Sequence, residues 1–356
     1  LPPPIESSEV RESFLQAATF VAREAELSTL RTALAEAASG HGSLWLVGGE
    51  SGVGKSRLLE ELRTFALVRG AGVVRGQAVS SAGSAFQVWQ SPLRSLCLQT
   101  SLEDVHAGVL QAVVPDIATL IGRVVPEPPA LDPQSAQTRL LYAIEKLFEA
   151  QKGYLLVLLE DLHWSDPASV AVLSHLVRFG FLSRQRILLV ASYRDEERPE
   201  LPSELPGTQR LKLLRLPMKE IASLSASMLG EAGKREDVVE LIARETEGNA
   251  FFIVEAVRAL AEEVGSLDKV GSSRIPSRLV AGGIQAVLAR RLRRVTADAR
   301  PFLAAAAVMG RELDLHVLRF LPVDTGIRWE ADLDSCSFAA VLEAHENRWR
   351  FAHDKL

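Results

Sequence analysis

The chain has 356 residues, of which 47% are hydrophobic and 24% are charged, a composition that argues against global disorder. Its formal net charge of −5 argues against a chain that is a basic nucleic-acid binder as a whole. Two cysteines, Cys97 and Cys336, are too few for a disulfide framework or a zinc site. The apolar runs are shorter than the roughly 18 residues of a membrane helix. We therefore expect a cytoplasmic protein of about two or three domains with no membrane partner.

The first part of the chain alternates between helical and strand patterns. Residues 1–18 contain a proline run and are predicted to be a linker, and the leucine at position 1 indicates a piece of a longer protein. Leucines at helical spacing predict a helix over 23–38, and the short apolar run 44–47 predicts a buried strand. A second amphipathic helix over 56–68 and a second strand over 73–78 follow.

The remaining pattern predicts a parallel sheet followed by a helical region. Residues 84–150 read as mostly helical, with a proline-rich loop at 124–133, and further strands are predicted at 155–159, 187–192 and 211–216. Strands that alternate with helices favour an α/β fold with a parallel sheet covered on both faces. After Pro217 the pattern is helical almost throughout, with a loop near 265–276.

One segment carries a phosphate-binding pattern. Gly49-Glu-Ser-Gly-Val-Gly54-Lys55-Ser56 matches G-x-x-x-x-G-K-[ST] at every fixed position, between a predicted strand and a predicted helix. The glycines allow the backbone N–H groups to turn inward around a phosphate, and the helix adds the positive end of its dipole. Lys55 is placed for the β- and γ-phosphates, and the Ser56 hydroxyl for Mg²⁺.

Two carboxylates follow the third predicted strand. Glu160 and Asp161 fit a second nucleotide element, in which one acid holds the Mg²⁺ shell and the other orients the attacking water. We expect Glu160 nearer the metal and Asp161 nearer the water. Asp166, followed by Pro167, is predicted to be a helix N-cap. His163 is interpreted as a packing residue, with a direct catalytic role as the alternative.

These motifs together resemble those of the STAND ATPases, the signal-transduction nucleotide switches of the AAA-related P-loop group. The similarity is greatest to the branch found in large bacterial regulators, kinases and cyclases. Residues 20–24 resemble the family's motif beside the adenine, 159–166 its extended acidic motif, 190–195 its sensor strand, 247–252 its lid motif and 351–354 the histidine–aspartate motif of its winged helix.

The resemblance implies an architecture and a switch. It implies a linker at 1–18, a P-loop nucleotide-binding domain at 19–216, an all-helical lid at 217–272 and a winged-helix domain at 273–356. In relatives, the lid and winged helix close over ADP, and exchange for ATP opens them and allows self-association. The implied function is a regulatory ATPase that hydrolyses slowly and controls an effector or sensor domain outside this chain.

The pattern and the resemblance also assign individual residues. Asp161 and Glu160 are the expected catalytic acids, and Ser56 and Glu160 the expected Mg²⁺ ligands. Contacts to ATP or ADP are expected from Val21, Arg23, Gly49, Ser51, Gly52, Val53, Gly54, Lys55, Ser56, Arg57, Arg194, Ala250 and His353. The resemblance implies that Arg194 contacts the terminal phosphate and that His353 contacts the β-phosphate of ADP.

Three positions depart from the family pattern. Ala22 stands where glycine is usual, Ala250 where proline is usual, and Glu160 where aspartate is commoner. None of these removes a phosphate contact, so nucleotide binding is expected to survive.

Other functions stay open at this point. A nucleotide-gated scaffold without turnover is the first alternative, and a DNA-binding transcription regulator is the second. The second is suggested by a basic stretch over 274–300, which is otherwise interpreted as a solvated helix face; nucleic acid is not the expected partner. An AAA-type initiator or remodeller is disfavoured, because the sequence shows Arg194 but no recognisable second sensor arginine in the lid.

Overall fold

The structure of the chain is a computed structural model. It describes residues 21–79, 85–264, 289, 291–310, 312–314, 317, 329–339, 341–345 and 348–351. The predicted linker at 1–18 and His353 lie outside the described residues. Among the described residues, no helix is both long enough and apolar enough to cross a membrane.

A five-stranded parallel sheet organises the first half of the chain. Its strands are β1 (Ser43–Gly48), β2 (Gly72–Gln77), β3 (Leu155–Glu160), β4 (Ile187–Tyr193) and β5 (Gln209–Lys212). Their order across the sheet is β2-β3-β4-β1-β5, and all neighbouring pairs are parallel. The predicted α/β fold with a parallel sheet is confirmed, and it is that of a P-loop protein. The fifth strand lies two residues earlier than predicted at its start and ends at Lys212 rather than 216.

Helices cover both faces of this sheet. They are α1 (Glu24–Ala38), α2 (Lys55–Val68), α3 (Gln87–Gln99), α4 (Asp104–Leu110), α5 (Ile117–Ile121), α6 (Pro133–Glu149), α7 (Pro167–Arg178) and α8 (Leu201–Glu204). Leu156 and Leu158 of β3 point into the core shared with α1 and α2, whereas Val157 and Leu159 point into the core shared with α3 to α7. Successive strand side chains point to opposite faces, so a strand buried on both sides must be apolar throughout.

The strand order decides how the predicted site is assembled. The strands that precede Lys55 and Asp161 are not neighbours in the sheet; β4 lies between them, because β1 and β3 both pair with β4. The carboxyl ends of β1, β3 and β4 nevertheless lie at one edge, where parallel sheets bind ligands. The end of the sensor strand therefore lies between the phosphate loop and the acidic strand end.

A separate helical cluster follows the sheet. It contains α9 (Met218–Leu229), α10 (Glu236–Thr246) and α11 (Ala250–Val264), with a short 3₁₀ turn at Gly230–Lys234. Its buried core includes Ile221, Val238, Ile242 and Ile253, and also Ala22 from the start of the described chain. These helices, called the lid cluster below, lie within 217–272, and the assignment of that range to a lid stays a prediction.

The described C-terminal residues form a further cluster with its own hydrophobic core. It contains α12 (Arg300–Met309), α13 (Trp329–Phe338) and a three-stranded antiparallel sheet of β6 (Glu312–Leu313), β7 (Leu342–His345) and β8 (Arg348–Phe351), in the order β6-β8-β7. Phe302, Cys336, Val341 and Phe351 share its core. The assignment of this region to a winged helix stays a prediction.

Candidate nucleotide-binding site

The loop between β1 and α2 has the backbone of a phosphate cradle. Gly52 has a φ of 79° and Gly54 a φ of 105°, and Gly54 is the N-cap of α2. A side chain is strained at such φ values, so glycine is needed at both positions. The N-terminal N–H groups of α2, with its dipole, are therefore directed at the space that the loop encloses.

Lys55 lies inside this loop. Its Nζ donates to the carbonyl oxygens of Gly49 and Glu50, both at 2.7 Å, and the residue is only 7% exposed. Burial lowers the pKa of Lys55 to about 8, and the charge of Arg194 acts in the same direction, whereas Asp161 raises it. The ammonium group is thus held over the loop, where the charges of Asp161 and Arg194 act on it.

Arg23, which directly precedes α1, also contacts the phosphate loop. Arg23 Nη2 donates to the carbonyl of Val53 at 3.4 Å and to the carbonyl of Leu214, and Nη1 pairs with Glu26 at 2.9 Å. Ala22 has a φ of 74°, a conformation that glycine adopts without strain. This explains physically why glycine is usual there in the family that the chain resembles. Val21 is half-buried and packs against the lid cluster.

The lid cluster contacts the loop directly at the start of α11. Asn249 Nδ2 donates to the carbonyl of Ser51 at 2.9 Å, and the backbone N–H of Phe251 donates to the carbonyl of Gly52 at 2.9 Å. A Cβ on Gly52 would lie 2.8 Å from Asn249 Oδ1, so only glycine allows this approach. Ala250, between these two donors, is half-buried and packs against the lid cluster. The loop backbone and the start of α11 are thus joined by two hydrogen bonds.

An ionic cluster connects the same two parts. Arg215, which lies just before the lid, makes a double contact with Glu50 of the loop, through Nε at 3.0 Å and Nη2 at 2.8 Å to Oε2. Its Nη1 also pairs with Glu247, at the C-terminus of α10. All three side chains are exposed, so their energetic contribution is small and salt-dependent. Sequence analysis did not find this cluster.

The two acidic residues at the end of β3 point to different partners. Glu160 is buried on the α2 side of the sheet, where it pairs with Arg75 of β2. Asp161 has a φ of 58°, its Oδ2 accepts a hydrogen bond from Gln77 Nε2 at 2.7 Å, and its N–H donates to Ser192 Oγ at 3.3 Å. Both carboxylates thus have resident partners, and the order of their roles stays a prediction. Sequence analysis missed Gln77, although a polar residue that ends a buried strand is a usable signal.

Arg194 follows β4 and is buried beside this acidic edge. Its Nη1 pairs with Glu197 Oε1 at 2.6 Å, and its guanidinium lies 5.2 Å from the centroid of the Trp164 ring. The backbone N–H of Arg194 donates to His163 Nδ1 at 3.4 Å, which places the imidazole proton on Nε2. Burial lowers the pKa of His163 to about 4, so the ring is neutral at pH 7. His163 is buried and contacts the backbone of Arg194, and its interpretation as a packing residue stays a prediction.

Ser56 and Arg57 begin α2 on its exposed side. Arg57 Nη2 pairs with Glu61 at 2.8 Å on the helix surface, and its side chain is 55% exposed. A nucleotide contact from Arg57 stays a prediction. Among the described residues, no group of three or more His, Cys, Asp or Glu side chains could hold a metal by itself. Mg²⁺ in phosphate sites needs only one or two protein ligands beside the phosphates and water, so Ser56 with Glu160 or Asp161 fits that need.

The predicted N-cap at Asp166 is confirmed. Asp166 Oδ1 accepts from the Ser169 N–H at 2.9 Å and from the Phe86 N–H at 3.2 Å, and Pro167 is the first residue of α7. We expect Asp166→Ala to lower the free energy of unfolding by about 1 kcal/mol, because two N–H groups lose their acceptor. Urea titration would measure this, with Asp166→Asn as the control that retains an acceptor. Equal stability of the wild type and the alanine variant would contradict a capping role.

Residues 274–288 and 290 of the basic stretch lie outside the described residues, and the described remainder is only partly a solvated face. Arg291 is buried, pairs with Glu255 of α11 through Nε at 3.0 Å, and lies 5.4 Å from the centroid of the Phe251 ring. The interpretation of the whole stretch as exposed is wrong at this residue, because the lid helix supplies a buried carboxylate and a ring face. Arg293, Arg294 and Arg300 are exposed.

Comparison with known proteins identifies the part of the chain that holds the loop. Residues 19–190 match the family model described as an AAA ATPase domain. This segment resembles an AAA ATPase. It includes the phosphate loop and the acidic strand end, and it stops before Arg194. The finer STAND assignment is not part of that match.

Other similarities are more distant. An uncharacterized protein of Rhizobium meliloti (strain 1021) is 26% identical over 332 residues, which are 85% of this chain and 31% of that protein. The chain thus spans about a third of the length of this curated relative.

Solved structures with similar folds include Cdc6p from Pyrobaculum aerophilum, with a TM-score of 0.46 and 15% identity over 96% of this chain and 94% of that one. A Drosophila ORC structure bound to DNA has a TM-score of 0.46 and 16% identity over 96% and 87% of the two chains. The RuvB Holliday junction branch migration motor of Thermotoga maritima has a TM-score of 0.41 and 15% identity over 95% of each chain. These scores are too low to carry a functional argument. The expectation that nucleic acid is not a partner gains no support from these comparisons.

Proposed function

We propose that this chain is a regulatory ATPase module of the STAND type, which binds ATP or ADP with Mg²⁺ and hydrolyses ATP slowly. The observation that carries the proposal is the convergence of Lys55, Asp161 and Arg194 at the edge where β1, β3 and β4 end; burial lowers the pKa of Lys55 there, with the charge of Arg194 acting in the same direction and that of Asp161 in the opposite one. A lysine in a glycine-rich loop, a carboxylate and an arginine are the parts that phosphoryl transfer requires.

The proposed chemistry assigns one task to each group. Loop N–H groups and the Lys55 ammonium bind the β- and γ-phosphates, and Arg194 contacts the terminal phosphate. Asp161 orients a water and accepts its proton at a carboxylate oxygen. Mg²⁺ supplies charge neutralisation between the phosphates, with Ser56 and Glu160 as its proposed protein ligands.

The switch role rests on the contacts between the loop and the lid cluster. Two hydrogen bonds join the carbonyls of Ser51 and Gly52 to the first residues of α11, and Arg215 links Glu50 to Glu247. A phosphate that reorders the loop therefore changes the support of α11. Self-association in the ATP state and control of an effector outside this chain extend this proposal.

A scaffold that binds nucleotide without turnover is the second candidate. It is favoured by the protein contacts of both acids, since Asp161 accepts a hydrogen bond from Gln77 and Glu160 forms an ion pair with Arg75. Calorimetric titration with Mg·ATP and Mg·ADP, followed by phosphate-release measurements over hours, separates the two candidates. Binding with slow release supports the ATPase, binding without release supports the scaffold, and no binding contradicts both.

Arg194 is expected to distinguish ATP from ADP. Arg194→Ala should weaken ATP binding about tenfold and ADP binding much less, because a charge-assisted contact to the γ-phosphate is lost only with ATP. The measurement is the ratio of the two dissociation constants. Arg198→Ala is the control, since Arg198 lies four residues away and pairs instead with Glu204 at 2.8 Å. Equal losses for ATP and ADP would make Arg194 a structural residue.

A further inference from the structure

Three consecutive carboxylates follow the sensor arginine in a turn at 195–197. Asp195 pairs with Lys212 of β5 at 3.0 Å, and Glu196 Oε1 accepts the backbone N–H of Ser51 in the phosphate loop at 3.3 Å. Glu197 Oε1 accepts from Arg194 Nη1 at 2.6 Å. One short turn thus places an anion on an amide of the phosphate loop and another on the sensor arginine.

These carboxylates use the same donors that a terminal phosphate would use. Backbone N–H groups of a glycine-rich loop and the guanidinium group of an arginine are the standard protein ligands for phosphate oxygens. The Arg194 side chain is only 8% exposed and that of Glu197 38% exposed, so their ion pair is less screened than one on the open surface. A phosphate that approaches Arg194 must therefore displace a well-placed carboxylate.

We propose that Glu196 and Glu197 compete with the terminal phosphate for the Ser51 N–H and for Arg194, and that Glu197 thereby sets how strongly the protein prefers ATP over ADP. The inference deepens the proposed nucleotide-binding function and rests on it. Neither glutamate belongs to the phosphate-loop pattern, to the acidic strand end or to the sensor position itself.

Glu197 has other donors beside it when Arg194 moves. Its Oε2 accepts from Trp164 Nε1 at 3.2 Å and lies 3.7 Å from His163 Nε2. That nitrogen is buried and has no hydrogen-bond partner, and it carries the ring proton because Nδ1 accepts from the Arg194 N–H. A small rotation of Glu197 toward His163 would satisfy both groups. In the proposed exchange Arg194 turns from Glu197 to the phosphate, and Glu197 then keeps Trp164 and His163 as donors.

The test is Glu197→Gln in the full chain. The amide retains an acceptor for Trp164 Nε1 but loses the charge that holds Arg194. We expect the affinity for Mg·ATP to rise about fivefold and that for Mg·ADP to change less than about twofold, because only ATP presents a γ-phosphate to Arg194. Calorimetric titrations with both nucleotides give the ratio.

Two further variants make the test decisive. Glu204→Gln removes the same charge from the same segment, but its partner is Arg198, so the ATP to ADP ratio should stay at the wild-type value. Glu196→Gln should raise the affinity for ATP, as Glu197→Gln does. It provides the test if Glu197→Gln fails to fold.

The outcomes are distinct. A selective gain for ATP in Glu197→Gln, absent from Glu204→Gln, supports the inference. Unchanged affinities, or equal gains for ATP and ADP, overturn it and leave the proposed function standing. Failure of the wild-type chain to bind either nucleotide overturns the proposed function, and this inference with it.

Discussion

Lys55→Ala is expected to weaken the binding of both ATP and ADP by about tenfold or more, because it removes a charge-assisted contact to the phosphates worth about 1.5–3 kcal/mol. Both nucleotides carry a β-phosphate, so both should lose affinity. Calorimetry at pH 7 provides the measurement, and a thermal melt of the variant checks that it is folded. Unchanged affinities would contradict the assignment of the phosphate loop.

The pKa of Lys55 adds a pH dependence with a definite sign. Burial holds this pKa at about 8, well below the usual value of 10.5, so the free protein loses the ammonium charge as the pH rises through 8. A bound phosphate favours the charged form, so nucleotide affinity should fall as the pH is raised from 7 to about 9.5.

Lys55→Arg is the matched control for this dependence. A guanidinium group stays protonated over the whole range, so the variant should lack the decline above pH 8 that Lys55 causes, whatever its absolute affinity. The measurement is the ratio of nucleotide affinities at pH 7 and pH 9.5 for each protein. Parallel profiles for wild type and Lys55→Arg would assign the decline to another group.

Sequence patterns predicted the parts of the site that are formed by residues close together along the chain. The phosphate loop and the N-cap at Asp166 were predictable, because spacing along the chain fixes their geometry. Strands β3 and β4 were predictable because each is buried at every residue and therefore mostly apolar, and β1 and β2 because each contains a short apolar run. The fifth strand was displaced because Gln209–Lys212 is an exposed edge strand with polar side chains and no apolar run to mark it.

Contacts between distant residues were not predictable in this way. The spacing of β1, β3 and β4 along the chain carries no information that β4 separates the other two. The hydrogen bond from Gln77 to Asp161 joins residues 84 positions apart, and Asn249 meets Ser51 across 198 positions. Arg291 shows the same limit, since its burial depends on Glu255 rather than on its own basic neighbours. Only the structure shows which distant side chains contact the residues of the site.

Asp161→Asn is expected to reduce ATP turnover about 100-fold, within the range for loss of a positioned general base, while ATP affinity stays close to the wild-type value. Asparagine tolerates the left-handed backbone of this position, and its Oδ1 can still accept from Gln77 Nε2. The change therefore removes the proton acceptor and spares the fold and the phosphate contacts. Phosphate release under single-turnover conditions, with binding measured in parallel, is the readout.

Glu160→Gln is the companion variant that decides the order of the two acids. If Glu160 is a Mg²⁺ ligand, this variant should require more Mg²⁺ for half-maximal turnover, whereas Asp161→Asn should leave the Mg²⁺ requirement unchanged. Arg75 pairs with Glu160 and lies 3.8 Å from Glu60, so in Glu160→Gln it loses one of its carboxylate partners, and its charge then disfavours the metal further. Abolished turnover in Glu160→Gln together with normal turnover in Asp161→Asn would reverse the two roles. Wild-type protein that binds ATP but shows no turnover would instead favour the scaffold, in which Gln77 and Arg75 keep both carboxylates occupied.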